Sequence, residues 1–148
     1  MPHLVILYTP NLDRPAAEGG TDMSKLCRAL ADCMLAARDE GGSVVFPPGG
    51  TRVLAYPAAH HAIADGGAAG KAAGGDGDYA FVYLNLRMNR GRTAQTQQAV
   101  GKALEAVVLQ HFAELLKTRR IGLTLQIDEG AELFDARNSS IHPLFAKK

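Results

Sequence analysis

Tryptophan is absent from the 148 residues, and Cys27 and Cys33 are the only cysteines. Two thiols six positions apart, with no CxxC and no zinc spacing, exclude a disulfide framework and a cysteine-ligated metal. On one helix they point in different directions, which disfavours an intrachain bridge. An excess of charge is lacking too: 16 Lys and Arg stand against 15 Asp and Glu, a formal net charge of +1. That balance argues against bulk electrostatic capture of nucleic acid or of an anionic membrane, so any anion site must be local. No apolar run approaches the roughly 20 residues that cross a bilayer. The start of the chain has neither the charged region of a signal peptide nor the Arg-rich pattern of a transit peptide, so the expected location is the cytoplasm. What is present is ordinary globular composition, 47% hydrophobic and 21% charged. It excludes a long disordered chain and suits a single domain over 1–148.

Apolar runs and breakers divide the chain. Pro2 to Thr9 reads as a strand, ended by Pro10-Asn11-Leu12-Asp13. Met23, Leu26, Cys27, Leu30, Met34 and Ala37 recur at spacings of three and four, which predicts a helix over about 22–38. Thr21 or Asp22 can cap it, and Gly41-Gly42 closes it. After the rigid connection Phe46-Pro47-Pro48-Gly49-Gly50, a strand is expected over about 51–56. Residues 66–77 hold six glycines and four alanines, the composition of a flexible loop. Strong strand character returns over 78–88. Thr93 can cap a long helix to about Thr118, with Val100, Leu104, Val107, Val108, Phe112 and Leu115 as its buried stripe. Ile121, Leu123, Leu125 and Ile127 alternate as one covered face of a last strand. Residues 128–148 have no clear period.

The order is β-α-β, loop, β-α-β. It predicts an α+β fold in which two β-α-β units form one open sheet with both helices on one face. The other face then has no cover from its own chain, and a symmetric oligomer is the simplest way to bury it.

Several familiar patterns fail on inspection. Around Gly70-Lys71 a phosphate loop would need glycine where Asp65 stands and Ser or Thr where Ala72 stands. His60-His61 are adjacent rather than metal-spaced, and His111 reads as a packed helix histidine, so no metal site is expected. Tyr79-Ala80-Phe81-Val82 and Leu7-Tyr8-Thr9-Pro10-Asn11-Leu12 partly match the two motifs of RNA-recognition modules. However, Gly77 and Asp78 stand where that pattern wants a basic residue and a glycine, and the neutral charge leaves no electrostatic footprint. RNA binding stays a minor alternative.

Pro2 is the informative residue. Removal of Met1 would leave a free secondary amine fixed to the first residue of a strand. An apolar pocket and nearby cations both disfavour its ammonium form and lower its pKa toward neutrality. Such a group can act as a general base. Taken alone, Pro2 reads as the start of an edge strand. Arg92 beside the candidate cap Thr93, and Arg52 after Gly49-Gly50-Thr51, change that balance. A carboxylate near Arg92 would meet a guanidinium and the free N–H groups of a helix N-terminus. Each arginine alone reads as a surface charge.

The ordered set resembles the 5-carboxymethyl-2-hydroxymuconate Δ-isomerases of the tautomerase superfamily. The matching pieces are Met1-Pro2-His3, Phe46-Pro47-Pro48-Gly49-Gly50-Thr51-Arg52, Asp78-Tyr79-Ala80-Phe81-Val82, Gly91-Arg92-Thr93 and Ser140-Ile141-His142-Pro143-Leu144-Phe145. The resemblance implies a homotrimer and a cytoplasmic step in aromatic-compound degradation, the homoprotocatechuate pathway. It implies a 1,3-allylic proton shift on a small anionic substrate, an unsaturated 2-hydroxy or 2-keto acid. The implied proton shuttle falls on Pro2 and the implied substrate-holding arginines on Arg52 and Arg92. No cofactor is implied, because conjugation to a carbonyl already acidifies the migrating proton. The alternative on the same fold is a non-catalytic trimer that binds small acids or another protein. The loop at 66–77 and the residues around 11–20 are longer than the family pattern suggests.

Overall fold

The structure is a computed structural model and describes residues 2–136 and 138–145. The expected removal of Met1 therefore concerns a residue outside the described ones, as do Arg137 and residues 146–148 of the aperiodic tail.

Strand β1 (His3–Tyr8), helix α1 (Met23–Ala36) and strand β2 (Arg52–Pro57) form the first unit. A short helix α2 (Ala68–Ala72) lies in the connection to the second. Strand β3 (Ala80–Asn89), helix α3 (Ala94–Thr118) and strand β4 (Ile121–Gly130) complete it. The sheet order is β2-β1-β3-β4. Pairing is parallel within each unit, β1 with β2 and β3 with β4, and antiparallel where β1 meets β3. Each parallel pair needs a crossover, and the two long helices provide them.

Strand alternation sorts the side chains. Leu4, Ile6 and Tyr8 of β1 and Val82, Leu84 and Leu86 of β3 point toward the helices and are buried. Leu26, Leu30 and Met34 of α1, with Val100, Leu104, Val108 and Phe112 of α3, close over them. Ile121, Leu123, Leu125 and Ile127 pack against this core from β4. Burying each such aliphatic side chain contributes about 1.5–3 kcal/mol. The other face carries Val5 and Leu7 in register with Leu54 and Tyr56. Leu7, Leu54 and Tyr56 remain 44–49% exposed there. The α+β sheet with both long helices on one face is thus as expected, and so is the uncovered face.

Three local details differ from the sequence reading. Helix α1 is capped by Asp22, whose carboxylate accepts from the Lys25 amide, but it ends at Ala36. Gly41-Gly42 lies beyond it, in a turn closed by an Arg38–Val44 bridge, with Gly42 at φ +81°. Residues 66–77 carry helix α2, and Asp65 accepts from the amides of Gly67 and Ala69 at its start. The glycines there permit close contact: a Cβ on Gly67 would lie 2.2 Å from the Gly77 carbonyl oxygen. Strand β4 also runs on to Gly130, paired with Asn89. Among the described residues no helix is long and apolar enough to cross a membrane.

Candidate active site

At the sheet end where β1 begins, Pro2 is buried and lines a cavity of about 210 Å³. Val45, Phe46, Pro47 and Met88 provide an apolar wall, and Asn89, Arg92 and His142 bring the polar groups. Val45, Phe46 and Met88 are each at most 2% exposed. The 46–51 segment shapes one side. Pro48 opens a short 3-10 turn over Pro48–Gly50, in which Gly50 and Thr51 donate amide hydrogens to the Pro47 carbonyl. The segment needs glycine because another element presses on it. A Cβ at Gly49 would stand 2.8 Å from His142 Nδ1 and 3.0 Å from His142 Cα.

Arg92 sits in the four-residue link between β3 and α3. Its Nη2 donates to the Val45 carbonyl at 2.9 Å, which turns the guanidinium onto the cavity wall. No carboxylate pairs with Arg92 among the described residues. At the helix N-terminus one amide is capped and a carboxylate lies close by. Thr93 accepts from the Thr96 amide, and both threonine hydroxyls donate to Glu40. Those hydroxyl bonds hold the Glu40 carboxyl below its usual range. A substrate anion at this spot would meet Arg92 beside a helix N-terminus whose Thr96 amide is already capped by Thr93.

Arg52 is at the same end of the sheet but does not line this cavity. It pairs in register with His3, and strand alternation places it on the uncovered face with His3 and Arg87. It borders a separate edge cavity with Cys27, Arg28, Ala31 and Leu35 of α1, and its Nη1 donates to the Gly50 carbonyl at 3.1 Å. Burial lowers the His3 pKa, and the Arg52 and Arg87 guanidiniums lower it further against an opposing pull from Asp135. The single chain thus unites Pro2 with Arg92 and sets Arg52 apart.

His142 and Asn89 were not singled out from sequence as site residues. Asn89 is the last residue of β3, which alternation and strand length could have placed beside Met88. His142 opens a short 3-10 turn, His142–Phe145, in a stretch with no periodic signal. Its position depends on the tail folding back onto Gly49. The two cysteines are half-buried free thiols on α1, both with pKa raised by burial, outside the Pro2 cavity.

A larger cavity, about 630 Å³, opens at the other end of the sheet between Asn11, Arg14, His61, Asp78 and Tyr79. Its guanidinium is committed, since Arg14 pairs with Asp78 at 2.7 Å. Size alone does not make it the better acid-binding site; the Pro2 cavity combines apolar walls with a cation that has no carboxylate partner among the described residues.

The paired β-α-β fold is shared with the crystal structure of Pt0534 inactivated by 2-oxo-3-pentynoate, 17% identical with a TM-score of 0.54 over 90% of this chain and 92% of that one. The chain belongs to the 5-carboxymethyl-2-hydroxymuconate isomerase family, whose model matches residues 2–145. The 5-carboxymethyl-2-hydroxymuconate Delta-isomerase of Escherichia coli is 26% identical over 145 residues, covering 98% of this chain and 99% of its own. A crystal structure of a 5-carboxymethyl-2-hydroxymuconate delta-isomerase is 56% identical with a TM-score of 0.93, over 100% of this chain and 95% of that one. The crystal structure of a 5-carboxymethyl-2-hydroxymuconate isomerase from Deinococcus radiodurans R1 is 31% identical with a TM-score of 0.76, over 99% and 95%. By family, this chain is an isomerase.

Proposed function

We propose that the protein moves a proton along a conjugated acid: it converts an unsaturated 2-hydroxy (2-keto) di- or tricarboxylate, such as 5-carboxymethyl-2-hydroxymuconate, to its conjugated 2-keto isomer. The base is the Pro2 nitrogen, once loss of Met1 has turned a non-basic amide into a secondary amine. Pro2 takes a proton from the 2-hydroxyl or from carbon, and the electron pair moves through the diene. The same nitrogen returns a proton at C5, so nothing is oxidised and no co-reactant is consumed.

One observation carries the reading: Pro2 is buried in an apolar chamber that also receives Arg92. Desolvation and the Arg92 guanidinium in the same cavity both favour the neutral amine. Arg92 holds a carboxylate or the developing dienolate oxygen, an interaction that strengthens as charge grows in a dry site. Arg52 is proposed to act from the uncovered face, on a substrate carboxylate reached across a subunit seam. That part rests on a homotrimer, which would bury Leu7, Leu54 and Tyr56. The cytoplasm is the compartment proposed for this chemistry.

The test is the absorbance change of a 2-hydroxymuconate-type acid, with intact mass spectrometry on the same sample to establish loss of Met1. Pro2→Ala should lower kcat/KM by about 10²–10⁴-fold, the range of a lost general base. Unchanged turnover in Pro2→Ala would assign the proton transfer to another group.

A further inference from the structure

His142 lines the Pro2 cavity and carries a polar atom for which the described residues make no provision. His142 Nδ1 is buried and has no hydrogen-bond partner among the described residues. Leaving such a group unpaired is costly, so a fold keeps one where something else satisfies it. The position is built rather than incidental. Ser139 Oγ accepts from the amides of Ile141 and His142, at 3.1 and 3.2 Å, and so sets the turn that carries the ring. Gly49 gives up its Cβ space to the same ring.

The ring also lies at the reacting end. A Cβ built on Gly50 would touch both His142 Cε1, at 3.6 Å, and Pro2 Cδ, at 3.7 Å. The imidazole and the pyrrolidine therefore flank one point, less than about 7.3 Å apart. Arg92 lines the same chamber from the α3 side.

We propose that His142 Nδ1 hydrogen-bonds an oxygen of the acid substrate beside Pro2, and so orients the migrating proton toward the base. Arg92 supplies charge, and His142 supplies direction. The inference rests on the proposed isomerase reading for its substrate class, but its geometric premise is independent of which atom is the base.

The experiment compares amide replacements that mimic one ring nitrogen each. The side-chain amide of His142→Asn reaches the Nδ1 position, and that of His142→Gln reaches the Nε2 position. Expected is kcat/KM within about threefold of wild type for His142→Asn. For His142→Gln a loss of about 10²-fold is expected, carried mainly by kcat, as for a lost transition-state donor. Equal losses in both, or no loss in His142→Gln, would overturn the assignment. A second measurement does not need turnover: histidine ¹⁵N signals of the wild-type chain are followed as muconate, an unreactive conjugated diacid, is added. A shift of His142 Nδ1 supports the proposal, and saturation of binding without one overturns it. If Pro2→Ala stays active while His142→Gln fails, only the identity of the base is wrong. If the wild type has no turnover at all, the muconate titration alone decides the case of His142.

Discussion

The two ends of the sheet are built from similar parts and use them in opposite ways. Past the far end of β1, Asp78 gathers Arg119 at 3.0 Å, Arg14 at 2.7 Å and the Asn11 amide at 2.9 Å. Arg119, only 10% exposed, also donates to the carbonyls of Asn11 and Gly19. Positive charge there is neutralised within the chain and ties loops together. At the near end, among the described residues, Arg92 has a backbone carbonyl and no carboxylate, near Pro2 and the unpaired His142 Nδ1. Matched charge makes structure, whereas charge and polarity left unmatched in a dry chamber are available to a substrate.

The sharpest way to break this contrast is to truncate one arginine at each end. Arg92→Ala should lower kcat/KM by about 10²-fold with little change in melting temperature, as expected for a lost electrostatic contact in the transition state. Arg14→Ala, at a half-exposed ion pair, should leave kcat/KM within about twofold. Equal effects on turnover would erase the distinction between the two ends.

Asp78 probes the structural end. Asp78→Ala strands the buried Arg119 and should cost about 2 kcal/mol in chemical denaturation, within the range for hydrogen bonds to charged groups. Turnover of the folded fraction should hold. A smaller effect comes from pH. Burial pushes the Asp78 pKa up, but the Asn11 amide and the Arg119 and Arg14 guanidiniums outweigh it and hold the group below the usual range. A depressed folded pKa gives stability that is present above the unfolded value of about 3.9 and is lost as pH falls through the folded one. Acid unfolding followed by circular dichroism should therefore be shallower in Asp78→Asn than in the wild type. Identical acid profiles would remove Asp78 from the account.

The same contrast explains what could be read from sequence. The paired β-α-β units were legible because the helix stripes and the alternation of Ile121 to Ile127 are local signals. Pro2 and Arg92 were legible because each adjoins such a signal, a strand start and the Thr93 cap. The resemblance to the isomerase family added the order that made them one site. Arg52 was readable as a residue but not as a direction. Its face follows from pairing with His3, a contact 49 positions away in register with the neighbouring strand. The bonds from the Thr93 and Thr96 hydroxyls to Glu40, 53 positions before Thr93, were not legible either, because only the fold brings them together. His142 lay beyond local reasoning altogether, since only the folded tail sets it against Gly49 and Gly50.

The account depends on a neutral amine at Pro2, and that can be observed directly by titrating the ¹⁵N-proline signal of the Met1-free protein. The account predicts deprotonation near neutral pH, well below that of an amino-terminal proline in an unstructured peptide, with a rise when Arg92 is replaced by Ala. A titration that matches the free peptide and ignores Arg92→Ala would contradict it.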